Sequence, residues 1–152
     1  MKIVPLAERP DLAEQVSVWG FAEWGHLNEG QTPQTRLAEV RGEMNVDRVP
    51  VTFVALGEDG GLVGTAALIF DDLVGDPRNP WLASVYVPSE HRRKGIASAL
   101  VRAVEDKARE LGYARLYLFT SSVPALYAGL GWQALERRDY RGEHIQVMDK
   151  VL

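Results

Sequence analysis

The sequence predicts an α+β fold in which helices pack on a mixed sheet. Three features carry this expectation. Over 94–111, Ile96, Leu100, Val104, Ala108 and Leu111 recur at helical spacing, with charged residues between them. Segments 50–56 and 62–70 are rich in β-formers, and Glu58-Asp59-Gly60-Gly61 between them suits a hairpin turn, since Asp and Gly tolerate positive φ. The run 81–87 is continuously apolar and stopped by Pro88, the pattern of a central strand buried on both faces.

The remaining elements follow in order. Residues 2–6 are apolar and β-like, and Arg9-Pro10-Asp11 opens a helix over 11 to about 24, with Leu12, Val16, Trp19 and Glu23 on one face. Residues 25–30 form a loop. Thr32 can cap a second helix and Pro33 suits its first position; that helix is expected to end near 44–46. Residues 71–80 form a polar loop. Gly112 closes the long helix over 94–111, and Arg102 with Asp106 and Glu105 with Arg109 are expected to pair on its solvent side. A strand over 115–120, a short helix over 124–129, and strands over 132–137 and 144–152 complete the chain. The order is β-α-α-β-β-β-α-β-α-β-β, in a single domain over 1–152.

Composition narrows the class. The chain has 152 residues, 46% hydrophobic and 25% charged, which is globular in character. The absence of Cys excludes a disulfide scaffold, a thiolate metal site and a Cys nucleophile. His26, His91 and His144 lack metal-ligand spacing, so no metal is expected. No apolar run approaches the ~18 residues that span a bilayer, and residues 1–5 lack a signal-peptide core, so the expectation is a cytoplasmic protein without a membrane partner. Charge is uneven. Residues 1–80 carry six Lys/Arg against thirteen Asp/Glu, and residues 81–115 carry seven against four. The acidic first part argues against nucleic acid and suits a cationic partner such as an amine.

The basic excess is concentrated at His91-Arg92-Arg93-Lys94, between a buried strand and a long helix. A helix start carries unpaired N–H groups and a partial positive charge, so exposed cations there cost about 0.3–1 kcal/mol each. A bound anion reverses that sign, and Gly95 and Ala97 leave room for a bulky one such as a diphosphate. Neither a Walker loop nor a dinucleotide fingerprint is present.

These residues resemble the GNAT family of N-acetyltransferases. Arg92-Arg93-Lys94-Gly95-Ile96-Ala97 matches its (Q/R)-x-x-G-x-(G/A) signature, Ser84-Val85-Tyr86-Val87 its fourth strand, and Tyr127-Ala128-Gly129-Leu130-Gly131-Trp132 its Tyr-x-x-x-Gly-aromatic element. The resemblance implies a GNAT-like fold, with a mostly antiparallel sheet flanked by helices, and transfer of acetyl from acetyl-CoA to a primary amine of a small molecule or peptide by direct attack in a ternary complex. It implies that Arg92, Arg93, Lys94, Gly95, Ile96 and Ala97, with Ser98 nearby, wrap the pyrophosphate. Val85, Tyr86 and Val87 pair with the pantetheine arm through their backbone, and the fifth strand splays from the fourth to admit it. Thr120 stands where many relatives carry an Asn that contacts the cofactor. Tyr127 is the implied proton donor to the CoA thiolate. Homodimers occur in the family.

The sequence departs from the family at the acceptor side, where many members carry a Glu on the fourth strand. Trp81-Leu82-Ala83-Ser84-Val85 has no carboxylate. Glu23, His26, Asp71, Asp72 and a water chain through Ser84 are the alternatives for the proton acceptor, and Trp24, His26, Glu23 and Asp72 are the expected acceptor-pocket residues. The missing carboxylate also keeps open a catalytically weak CoA-binding or sensor domain of the same fold. Use of the basic helix start by another nucleotide or phosphometabolite is a further alternative.

Overall fold

A computed structural model describes residues 1–152. Its elements are β1 (Lys2–Pro5), α1 (Ala13–Trp24), α2 (Pro33–Gly42), β2 (Val51–Leu56), β3 (Leu62–Ile69), β4 (Trp81–Tyr86), α3 (Ile96–Glu110), β5 (Arg115–Thr120), α4 (Pro124–Gly129), β6 (Gln133–Tyr140) and β7 (Glu143–Val151). The strands form one seven-stranded sheet in the order β1-β2-β3-β4-β5-β7-β6. Every neighbouring pair is antiparallel except β4 with β5. No helix is long and apolar enough to cross a membrane.

The period-two alternation of β2 sets the layers. Val51, Phe53 and Ala55 face α3, which contributes Ile96, Leu100, Val101, Val104 and Ala108 to one core. Val54 and Leu56 face the opposite side, where they meet Leu12, Ala13, Val16 and Val40 around α1 and α2. Gly64 lets α3 approach closely: a Cβ there would lie 2.9 Å from both Ile96 Cγ2 and Leu100 Cδ1. Thr32 caps α2 in a reciprocal box with Thr35, with Pro33 at the first position. Gly112 (φ +91°) ends α3, its N–H bonding Arg109 O while Tyr113 N–H bonds Ala108 O, a Schellman closure.

Several boundaries differ from expectation, each for a local reason. A 3₁₀ turn over Pro10–Leu12 precedes α1, and the buried residues of α1 are Ala13, Val16, Ser17 and Gly20. α2 stops at Gly42 because Met44 turns into a bridge with Val51. α3 starts at Ile96, two residues later than expected, since Arg93 (φ +63°) and Gly95 (φ +77°) are left-handed. β6 runs on to Tyr140 along β7. Glu105 does not face solvent. It is buried and bonds Lys150 and Trp132, with the expected partner Arg109 at 4.0 Å, while Asp106 pairs with Arg109 at 2.8 Å rather than with Arg102.

Candidate active site

The site begins where the central sheet opens. β4 and β5 share a single register pair, Trp81 with Tyr117, and then separate. Along β4 a bulge puts one extra residue opposite β3, between the pairs Ala67–Ala83 and Thr65–Tyr86. Ser84 at this bulge is left-handed (φ +56°), and its carbonyl accepts a hydrogen bond from Thr65 Oγ1 at 3.1 Å. The edge of β4 beyond Ala83 is thus left without β5 as a partner and can receive an extended chain as an added strand.

A cleft of about 730 Å³ fills the opening. Ser84 and Val85 line one wall, Leu118–Val123 the other, and Tyr127 the end contributed by α4. Tyr127 is buried, and burial pushes its phenol up to about 12, so it carries its proton at any working pH. Thr120 also lines the cleft, and its Oγ1 accepts the backbone N–H groups of Ser122 and Val123 at 3.3 and 3.2 Å. It therefore turns the chain into α4 and has only its own O–H left to donate. Tyr86 does not line the cleft. Its ring meets the edges of Trp19 and Trp24 at 5.4 and 6.3 Å, so it braces α1 and could reach a cofactor only through its backbone.

The basic segment lies at the start of α3. Arg92, Arg93 and Lys94 are exposed. Arg92 Nε donates to Val87 O at 2.9 Å, which ties the loop to the end of β4 and engages the Val87 carbonyl. The left-handed Arg93 and Gly95 curl the backbone ahead of Ile96. No side chain caps α3, and its first turn holds no acidic residue. Successive N–H groups in such a curl converge on an anion, and the helix dipole adds to them. Ala97 and Ser98 stand in the first turn, and both are small. Val87 and Arg92 through Ser98 do not line the cleft; the curl suits a diphosphate, and the splayed strands and the bulge suit an extended chain.

The opposite end of the cleft is acidic. Glu23, Trp24, His26 and Asp72 all line it, as does Asp71. His26 Nε2 lies 3.3 Å from Glu143 Oε1 on β7. Arg141 Nη1 donates to Leu27 O at 2.6 Å and to Asn28 Oδ1 at 3.1 Å, so the β6–β7 turn holds the loop after α1 over the cleft.

The sequence reading missed a charged cluster in the cleft, whose lining also includes Arg36 and Glu39 of α2 and Glu43 just past its end. Their i, i+3, i+7 spacing places them on one helical face, and that spacing was the available signal. The Arg36 side chain is only 11% exposed and lies 3.1 Å from Glu39 Oε2 and 3.8 Å from Glu43 Oε1. Gly20 of α1 makes room for it, since a Cβ there would lie 2.9 Å from Arg36 Nε. Thr52 Oγ1 donates to Glu43 Oε2 at 3.4 Å. Burial raises the Glu43 carboxyl above its ordinary range, against the pull of Arg36. Burial also raises Asp72, to about 7, with the Glu43 charge adding to the rise and Arg36 opposing it. One guanidinium thus faces several carboxylates, and Asp72 is poised to exchange a proton near neutrality.

The model of the Acetyltransferase (GNAT) family matches residues 18–132. The chain is similar to N-acetyltransferase 8 of Homo sapiens, 42% identical over 77 residues, which is 48% of this chain and 33% of that protein. It is similar to the streptothricin acetyltransferase of Streptomyces lavendulae, 34% identical over 102 residues, 60% of this chain and 50% of that protein. The chain thus spans between a third and a half of the length of these curated relatives. In fold it is similar to an aminoglycoside 6'-N-acetyltransferase complexed with coenzyme A, with a TM-score of 0.76, 19% identity, and coverage of 99% of this chain and 97% of that one.

Proposed function

The chain belongs to the GNAT acetyltransferase family, and from that membership we propose that it transfers an acetyl group from acetyl-CoA to a primary amine. The observation that carries this reading is the placement of Tyr127 and the β4 bulge on the walls of one cleft, between strands that part after Trp81. The acceptor is a cationic small molecule or peptide amine, because Glu23, Glu39, Glu43, Asp71 and Asp72 line the far end of that cleft. The acceptors named for two similar proteins, streptothricin and an aminoglycoside, are in keeping with an amine-bearing compound.

Acetyl-CoA, when bound, supplies an activated thioester. Arg92, Arg93, Lys94 and the N–H groups from Gly95 through Ser98 hold its diphosphate, with the α3 dipole adding to their charge. Val85 and Val87 offer backbone groups to the pantetheine arm along the unpartnered edge of β4, Val87 through its N–H alone. Backbone N–H groups at the bulge polarise the carbonyl. Asp72 takes the proton from the acceptor ammonium, and the free amine attacks the carbonyl carbon. As the N–C bond forms and the C–S bond breaks, Tyr127 would give its proton to the sulfur, the second proton lost by the acetylated nitrogen would return to the Tyr127 oxygen, and Asp72 would release its own to solvent. The same burial that raises the phenol also raises the proton affinity of a thiolate in that pocket, so the transfer is less uphill than solution values imply.

Gly95→Val tests the diphosphate end. A β-branched residue is strongly disfavoured at φ +77°, so the curl refolds and affinity for CoA falls about tenfold or more. Calorimetric titration with CoA checks this; unchanged affinity removes the curl from the site. Turnover itself is tested by following CoA release from acetyl-CoA with a panel of mono-, di- and polyamines and an amino-terminal peptide. Release with at least one cationic amine is expected. Binding of acetyl-CoA without release on any amine favours a sensor domain instead.

A further inference from the structure

We infer that Glu105 is a positioning residue for Tyr127, fixing the proton donor to the helix whose start holds the diphosphate. The inference rests on the reading of Tyr127 as the proton donor. Glu105 is 3% exposed yet carries a carboxylate in the middle of the α3 core face. Both of its oxygens are engaged. Trp132 Nε1 donates to Oε2 at 3.2 Å, and Lys150 Nζ of β7 donates to Oε1 at 2.7 Å.

These two partners converge on α4. Lys150 Nζ also donates to Leu130 O at 2.8 Å. Leu130 N–H and Trp132 N–H both donate to Tyr127 O, at 2.9 and 3.0 Å. The Trp132 ring meets the Tyr127 ring edge-on, with centroids 6.3 Å apart. The phenol is therefore held from two directions, through its own carbonyl and through its ring, and both routes lead back to one carboxylate. Glu105 stands nine residues after Ile96, about 14 Å along a rigid helix from the diphosphate end. The reacting sulfur and the diphosphate sit at a spacing set by the cofactor. A brace on the diphosphate-binding helix sets the phenol against that same spacing, within the tolerance of a few tenths of an ångström that proton transfer demands.

The test uses Glu105→Gln, and the double variant Glu105→Met with Lys150→Met, which removes the pair without leaving either charge buried alone. Trp132→Phe keeps an aromatic ring and deletes the donor together with part of the buried indole, so it reads the same brace if the others do not fold. In each, kcat is expected to fall about tenfold while the Kd for CoA stays within about twofold, because an interaction realised only in the transition state is lost. In a Tyr127→Phe background the same substitutions are expected to cost nothing further, since the group they position is gone. A kcat equal to wild type, or losses that multiply with Tyr127→Phe, overturns the inference. A Tyr127→Phe enzyme that is itself as fast as wild type overturns the underlying reading as well, so the two failures are told apart by that single control.

Discussion

Tyr127→Phe lowers kcat by about 100-fold or more and leaves affinity for acetyl-CoA within about twofold. The phenol is buried with its pKa pushed up to about 12, so the wild-type group is protonated throughout the useful pH range. Removing its oxygen changes no charge and little volume. The ring remains edge-on to Trp132, so the fold of α4 is kept. What is lost is the donor to the departing sulfur, a contribution made only as the C–S bond breaks. Single-turnover and steady-state rates of CoA release, set beside calorimetric titration, separate the two quantities. An unchanged kcat removes Tyr127 from the chemistry, and a parallel loss of affinity assigns it to binding.

Asp72→Asn has the second large effect, and it acts in opposite directions on rate and stability. Turnover is expected to fall about 100-fold, because the group proposed to accept the ammonium proton is gone. Because burial raises the Asp72 carboxyl to about 7, wild-type kcat/KM is expected to rise with pH up to about 7 and then level. The variant loses that inflection. Stability moves the other way. The folded carboxyl, raised above its unfolded value, keeps a proton that the unfolded chain releases from about pH 4 upward. Stability from this group therefore declines as pH rises from about 4 to about 7 and stays reduced above it. Asparagine carries no such cost, so the Tm of the variant exceeds wild type by about 3 °C or more at pH 8 and matches it near pH 4. Melting curves at both pH values check the sign. A lower Tm at pH 8 places Asp72 among groups that hold the fold together, and unchanged turnover denies it the proton.

This opposition is what a functional site shows when burial is retained for chemistry rather than for stability. Arg36 reaches Glu39 at 3.1 Å but lies 3.8 Å from Glu43, and its charge only partly offsets the rise at Asp72. In the proposed reaction a cationic acceptor would complete the balance on binding, so substrate affinity and proton abstraction would draw on the same charges.

The order of elements along the chain was legible in the sequence because it depends on local signals, whereas the order of strands in the sheet was not. The hairpin at Asp59-Gly60, the apolar run ending at Pro88 and the periodic helix from Ile96 each follow from residues close in sequence. The candidate residues Glu23, Trp24, His26, Asp72, Val85, Thr120 and Tyr127 come to one cleft, though the sequence alone could not say how far apart. Where the reading failed, a partner far along the chain decided the outcome. Glu105 has an ordinary helical neighbour in Arg109, but Lys150 and Trp132 draw it inward. Arg36 on α2 is an unremarkable helical Arg until Gly20 on α1 gives it a buried seat. The start of α3 was placed early because no propensity rule shows that Arg93 adopts φ +63°.

The most direct measurement compares calorimetric titrations of the wild-type protein with CoA, with dephospho-CoA, which keeps the diphosphate, and with pantetheine, which lacks the diphosphate and the adenosine 3'-phosphate, at low and high salt. CoA and dephospho-CoA are both expected to bind at least about 100-fold more tightly than pantetheine, with an advantage that shrinks as salt rises, since cations and helix N–H groups at 92–98 hold the diphosphate they share. Equal affinity for dephospho-CoA and pantetheine, or an advantage indifferent to salt, contradicts this account.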